Sequence, residues 1–232
     1  GLPQVTSLPS LERAAQAHAE YVDRHDYSHT QQRGKEGFLG EQPWDRMRAC
    51  GYHGPCGEVI ASEDSAEEAL EIWVASVYHR QFITNPALSA IGMGVYGRIQ
   101  VLTYGLQEEA PTTAVALCPP AEEREVPLSW PGLESPSPIP AGAPTPVGYT
   151  VSAHFPAEVK RVHRMQLREV DGEEVPCYAR HRLNDEALRH SNSVFLLPQA
   201  SLAPAHGSAF MFIDAIDPEG TLNRGVYERI GR

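Results

Sequence analysis

Between Pro119 and Pro146, nine of the 28 residues are proline, among them Pro119-Pro120 and the run Ser135-Pro136-Ser137-Pro138-Ile139-Pro140. Each proline fixes φ and removes an amide donor, so this stretch excludes a helix and a central strand. A chain of 232 residues suits one large domain or two of ordinary size. The seam therefore predicts a first domain over residues 1–110 and a proline-rich linker and lead-in over 111–146. A second domain follows over 147–232.

Upstream of the seam, apolar residues recur at helical steps. Leu11, Ala14, Ala15, His18 and Val22 lie three and four apart, with Ser10 placed to cap the start. Pro43 to Cys50 predicts a short helix, with proline in its first turn and Gly51 just past its end. Ser65-x-x-Glu68 is a capping box that opens a third helix through Ala69, Leu70 and Trp73. Ile91–Tyr96 and Ile99–Tyr104 flank Gly97-Arg98 as the arms of a β-hairpin. Downstream, Val147–Phe155, Val159–Val170, Ser193–Leu197 and Ala209–Ile213 read as strands between turn signals at Asp171-Gly172 and Pro218-Glu219-Gly220. The expectation is an α/β sandwich followed by an all-β domain of immunoglobulin-like size.

Charge narrows the partners. The formal net charge is −11, with 8 basic and 15 acidic residues in 1–110 and 11 and 15 in the remainder. Neither half offers the basic surface that nonspecific binding to nucleic acid or to an anionic bilayer requires. No apolar run is long enough to span a membrane.

Four cysteines allow three connectivities. Cys50 and Cys56 bracket a turn-rich step, so proximity favours that pair and leaves Cys118 with Cys177. The alternative is four reduced, buried thiols. Two disulfides would place the chain in an oxidising, extracellular or periplasmic compartment.

Three stretches carry candidate chemistry: Tyr27-Ser28-His29, Cys56-Gly57-Glu58-Val59-Ile60-Ala61, and Trp73-x5-His79-Arg80. Two imidazoles and a carboxylate fill three places around Zn²⁺ and leave a fourth open. The same trio can instead form a hydrogen-bonded network that holds a water or an anionic ligand. The plainer alternative makes His79 a cationic helix end and Glu58 a carboxylate that serves backbone amides. His18, on the apolar face of its helix, reads as a core histidine with satisfied hydrogen bonds. The chain has no Gly-x-Ser-x-Gly elbow, Ser-x-x-Lys or His-Glu-x-x-His, so nucleophilic catalysis finds little support.

Together with Ala17-His18-Ala19 and Ile91-Gly92-Met93-Gly94-Val95, and in this order over about residues 8–106, these stretches resemble the CAP superfamily. That family comprises cysteine-rich secretory proteins, antigen 5 and plant pathogenesis-related 1 proteins, also called SCP domains. The resemblance implies an α+β chain that begins with an α–β–α sandwich whose cleft is lined by two histidines and two acids. His29 matches the first histidine, Glu58 the first acid and His79 the second histidine. Ser76 stands where animal and plant members carry the second acid, and the Trp-x5-His spacing resembles bacterial members. The second half is similar to β-sandwich domains appended to some bacterial members.

The resulting expectation is a secreted ligand-binding or interaction module with a cleft of His29, Glu58, Ser76 and His79. Its ligand class, whether lipid, glycan, peptide or protein, is not named by the residues. The rivals are a metal-dependent hydrolase, with an ion on His29 and His79 and Glu58 as general base, and a structural envelope protein with a vestigial cleft. No cofactor is fixed. Zn²⁺ is the candidate the residues allow, bound weakly because Ser76 leaves the site one acid short.

Overall fold

The computed structural model describes residues 4–120, 123, 125–168 and 172–200, and the backbone of 210–214. The chain forms two compact units, one from residues 1–75 and 82–114 and the other from 76–81 with 115–232.

In the first unit, α1 (Pro9–Arg24) buries Leu11, Ala14, Ala15, His18 and Val22, the residues its periodicity marks. Its start differs from expectation. Leu8 is the N-cap and Pro9 opens the first turn, so Ser10 falls inside the helix. Proline's fixed φ suits that first position, where no amide is needed. α2 (Pro43–Ala49) is closed by Gly51 at φ +95°. α3 (Ala66–Ala75) starts where Ser65 Oγ accepts the Glu68 amide at 3.1 Å. The chain breaks at Ser76 and starts again as α4 (Val77–Ile83), so His79 sits early in a new helix and not at the end of an old one.

The sheet of this unit contains β1 (Thr6–Ser7), β2 (Cys56–Ser62), β3 (Leu88–Tyr96) and β4 (Ile99–Leu106) in the order β1-β3-β4-β2. β3 and β4 form the expected hairpin, closing at Tyr96 opposite Ile99. Side chains alternate along β2, and each face receives a helix. Ile60 packs with Ala15, Ala19 and Val22 of α1, while Val59 and Ala61 pack with Ala69 and Trp73 of α3. Helix, sheet and helix make three layers. The glycines of β3 set the spacing of the first two: a Cβ on Gly92 or Gly94 would lie 2.2 Å from the backbone of α1.

The second unit is mostly strand. β5 (Ala116–Cys118), β6 (Ser129–Trp130), β7 (Val147–Gly148) and β8 (Val151–His154) precede β9 (Arg164–Arg168), β10 (Glu174–Val175), β11 (Cys177–His181), β12 (Ser193–Pro198) and β13 (Phe210–Asp214). They form sheets ordered β11-β12-β8-β5 and β10-β9-β13, with β6 and β7 as a separate pair. Val151, Leu167 and Leu196 pack the two larger sheets together. The strand expected over Val147–Phe155 divides into β7 and β8, and that over Val159–Val170 contracts to β9. His154 is buried on β8. The turn signal at Pro218–Gly220 lies outside the described residues.

Residues 76–81 belong to this second unit. Arg80 is fully buried. It donates to the Thr150 carbonyl at 2.5 Å and to Ser152 Oγ at 3.3 Å, and lies 5.1 Å from the Tyr149 ring centre. Ser152 and Val151 point to opposite faces of β8. The segment therefore covers the face turned away from the Val151 core. The Tyr78 hydroxyl donates to Asp185 at 2.9 Å.

The cysteine expectation needs correction, because all four cysteines are free thiols. Cys118 and Cys177 lie on β5 and β11, the two edges of one four-stranded sheet. Three strand spacings put them about 14 Å apart, and a disulfide needs Cα atoms within about 7 Å. Cys177 donates instead to the Val175 carbonyl. Cys50 ends α2 and Cys56 opens β2. Both fill space against Leu11, Ala14, Met47 and Ala90, with no bond between them. Burial pushes the Cys50 and Cys56 thiols up and takes Cys177 to about 12, so little reactive thiolate forms at neutral pH. An aromatic disulfide reagent should titrate all four thiols in denaturant without reductant. In native protein, the same reaction should be slow. A denatured count of two or fewer would restore a bridge.

Candidate functional site

Glu58 lies in the middle of β2, opposite Thr103 of β4, on the face shared with Ile60 and covered by α1. Its side chain is 1% exposed. Such a carboxylate needs partners, and it has three. Oε1 accepts from Arg46 Nη2 at 2.6 Å and lies 3.1 Å from His29 Nδ1 and 3.2 Å from His18 Nε2. Burial alone would raise the Glu58 carboxyl; hydrogen bonds from His18 and His29 and the Arg46 charge outweigh it and lower it to about 2.

Each partner is itself held. Arg46, brought in by α2, also donates to the carbonyls of Gly40, Glu41 and His29. Gln31 Oε1 accepts the Leu39 amide, so its NH₂ group is what faces His18 Nδ1 at 3.0 Å. That leaves His18 Nε2 as the N–H, aimed at the Ser28 carbonyl and Glu58. The Tyr27 hydroxyl donates to the Ile60 carbonyl and ties the Tyr27-Ser28-His29 loop to β2. The network ends at His29, whose side chain is 52% exposed.

His29 and Glu58 therefore come together, in the first unit. Ser76 and His79 come together in the second, with Ser76 Oγ 3.0 Å from His79 Nδ1. An unexpected carboxylate joins them: Glu134, whose side chain is fully buried, lies 2.8 Å from the same nitrogen. Glu134 is one of four glutamates in the proline-rich stretch, and nothing in the sequence singles it out for such a contact.

Zn²⁺ needs ligand lone pairs that it does not share with another cation. Glu58 Oε1 already receives a guanidinium at 2.6 Å, a fixed positive charge that opposes a second cation on the same oxygen, so the residues around Glu58 do not fit one. Among the described residues, no three His, Cys, Asp or Glu side chains are grouped to hold a metal ion. No helix among them is long and apolar enough to cross a membrane.

On the other face of the same sheet, α3 leaves an apolar pocket of about 470 Å³. Val59, Leu70, Trp73, Phe82, Met93 and Leu102 contribute to its walls. Trp73 is fixed there by an indole N–H donated to the Ile60 carbonyl, and Phe82 by stacking on Tyr104.

Residues 1–99 match the model of CAP, the cysteine-rich secretory protein family. The matched segment contains His29, Glu58, Ser76 and His79, and Glu134 lies beyond it. Among solved structures, the chain is similar to an extracellular protein containing an SCP domain from Bacillus anthracis str. Ames. The two are 23% identical with a TM-score of 0.42, over 46% of this chain and 35% of that one. It is also similar to an outer surface protein from Borrelia burgdorferi, at 20% identity and a TM-score of 0.38, over 46% and 80% of the two chains. The match thus spans about a third of the Bacillus protein. No curated protein matches the chain.

Proposed function

We propose that the chain is a secreted CAP-domain binding module with an appended immunoglobulin-like β-sandwich, acting outside the cytoplasm on an apolar ligand such as the acyl chain of a lipid. The pocket between α3 and the sheet carries this reading. Its volume of about 470 Å³ lies in the usual range for small-molecule sites, and its walls are apolar. The Glu58 network, which ends at exposed His29, lies on the other face of the sheet and takes no part in holding this ligand. No Zn²⁺ is needed.

The hydrolase rival asks Glu58 to act as general base. A base works best with a pKa near the working pH, and at about 2 this carboxylate is a poor proton acceptor. Support for secretion comes from the matched family, which is described as secretory. The Cys177 thiol, kept protonated by burial, also resists oxidation.

Titration with cis-parinaric acid tests the proposal. Saturable fluorescence enhancement is expected, and Met93→Arg should weaken it by about tenfold or more by placing a charge among the apolar walls. Absence of saturation in the wild-type protein overturns the reading. So does undiminished binding by a Met93→Arg variant with wild-type circular dichroism.

A further inference from the structure

We propose that Glu134 is a positioning residue for His79: it holds the ring with Nδ1 protonated, so that Nε2 presents its lone pair to a hydroxyl or ammonium donor of a ligand. This goes beyond the apolar-pocket reading and stands on different atoms.

The geometry of four contacts carries it. The Glu134 carboxylate accepts the amide of Val77 at Oε2, 2.9 Å, and those of Tyr78 and His79 at Oε1, 2.8 and 3.2 Å. His79 Nδ1 is the fourth neighbour, 2.8 Å from Oε1. A carboxylate that receives N–H groups is an acceptor only, so the nitrogen facing it carries a proton. In a neutral imidazole the other nitrogen is then bare. Ser76 Oγ lies beside Nδ1 as well, and Nε2 has no hydrogen-bond partner among the described residues. The His79 side chain is 29% exposed and that of Glu134 is fully buried, so the ring has a sealed end and an open one.

Three amides alone would satisfy a carboxylate that merely capped α4. The contact to the ring is additional, and it joins the group that fixes the tautomer to the turn that fixes the backbone. The helix is held on both sides of His79, by Tyr78 on Asp185 and by Arg80 on the Thr150 carbonyl. A ring so fixed offers its lone pair in one direction, the arrangement a binding group needs.

Long-range ¹⁵N–¹H correlation of the histidine rings in the full chain is the test. It is run at about pH 8.5, where an ordinary imidazole is neutral, with His79→Gln to assign the signal. The expected result is His79 protonated at Nδ1 and bare at Nε2, and a shift toward the Nε2–H form in Glu134→Ala. Diethyl pyrocarbonate acylates a bare ring nitrogen. It should label wild-type His79 roughly tenfold faster than in Glu134→Ala, the scale on which such outer partners act. If Glu134→Ala does not fold, Glu134→Gln takes its place, with a mixture of tautomers expected. A wild-type ring protonated at Nε2 overturns the proposal, as does a tautomer and labelling rate that a folded Glu134 variant leaves unchanged. Neither outcome bears on parinaric acid binding.

Discussion

Glu58→Ala should lower the free energy of unfolding by about 3–5 kcal/mol, the range for breaking a buried ion pair by removing one partner. The cause is Arg46, 1% exposed, which would keep its charge in the interior without a carboxylate. His18, fully buried, would lose the same partner. The wild-type pair should also make stability depend on acid. The folded Glu58 pKa of about 2 lies below the ordinary 4.5. The contribution is therefore fully present above pH 4.5 and is lost as pH falls toward 2. It amounts to something on the order of 3 kcal/mol. Urea unfolding at neutral and acid pH measures both effects. The wild-type midpoint should fall across that window, and Glu58→Ala should start lower and fall less. Equal acid sensitivity in the two proteins would show that Glu58 is not the ionised hub its contacts describe.

Arg80→Ala should also destabilise the fold, by about 2–4 kcal/mol, because it removes a fully buried side chain together with its hydrogen bonds. The Thr150 carbonyl would lose its donor, and the space between α4 and the sheet would open. Arg80→Lys should recover part of the loss, since an ammonium keeps the charge but lacks the planar fork. Thermal unfolding of the three proteins decides it. A change below about 0.5 kcal/mol, the scale of an ordinary surface substitution, would mean that Arg80 is not held as described.

Arg80 also shows where reading the chain reaches its limit. In sequence it is the cation at the end of an amphipathic helix, and charge alone makes that the natural reading. Its burial comes from Thr150 and Ser152, some 70 residues downstream, whose positions no local pattern reveals. Glu134 is hidden for the same reason. By contrast, α1 was legible because one face repeats from Leu11 to Val22, and the β3–β4 hairpin because Gly97-Arg98 separates two apolar runs.

His29 and Glu58 were legible as a pair through motif order, and the structure joins them at 3.1 Å. Arg46, which donates the shortest of the hydrogen bonds to that carboxylate, was not. Arg46 is one of two arginines in a short helix, and nothing local sets it apart from Arg48. The long disulfide failed on topology: counting cysteines says nothing about which strands form the two edges of a sheet. β11 was missed because Cys177–His181 is short, half exposed and cationic, features that suit an edge strand as well as a loop.

The excursion of residues 76–81 into the second unit gives the protein a timetable. Synthesis runs in one direction, so Arg80 is made before Glu134, Thr150 and Asp185 exist. At about 5–20 residues per second, Asp185 follows Arg80 by roughly 5–20 s. Through that interval the six residues wait for the strands they pack on, while chain on either side of them is free to close around the first sheet. The β-rich unit is then completed on a peptide already in place. A nascent chain stalled before the second unit emerges would leave Arg80 and the amides of residues 77–79 without their partners, in a segment that a chaperone or a protease can recognise.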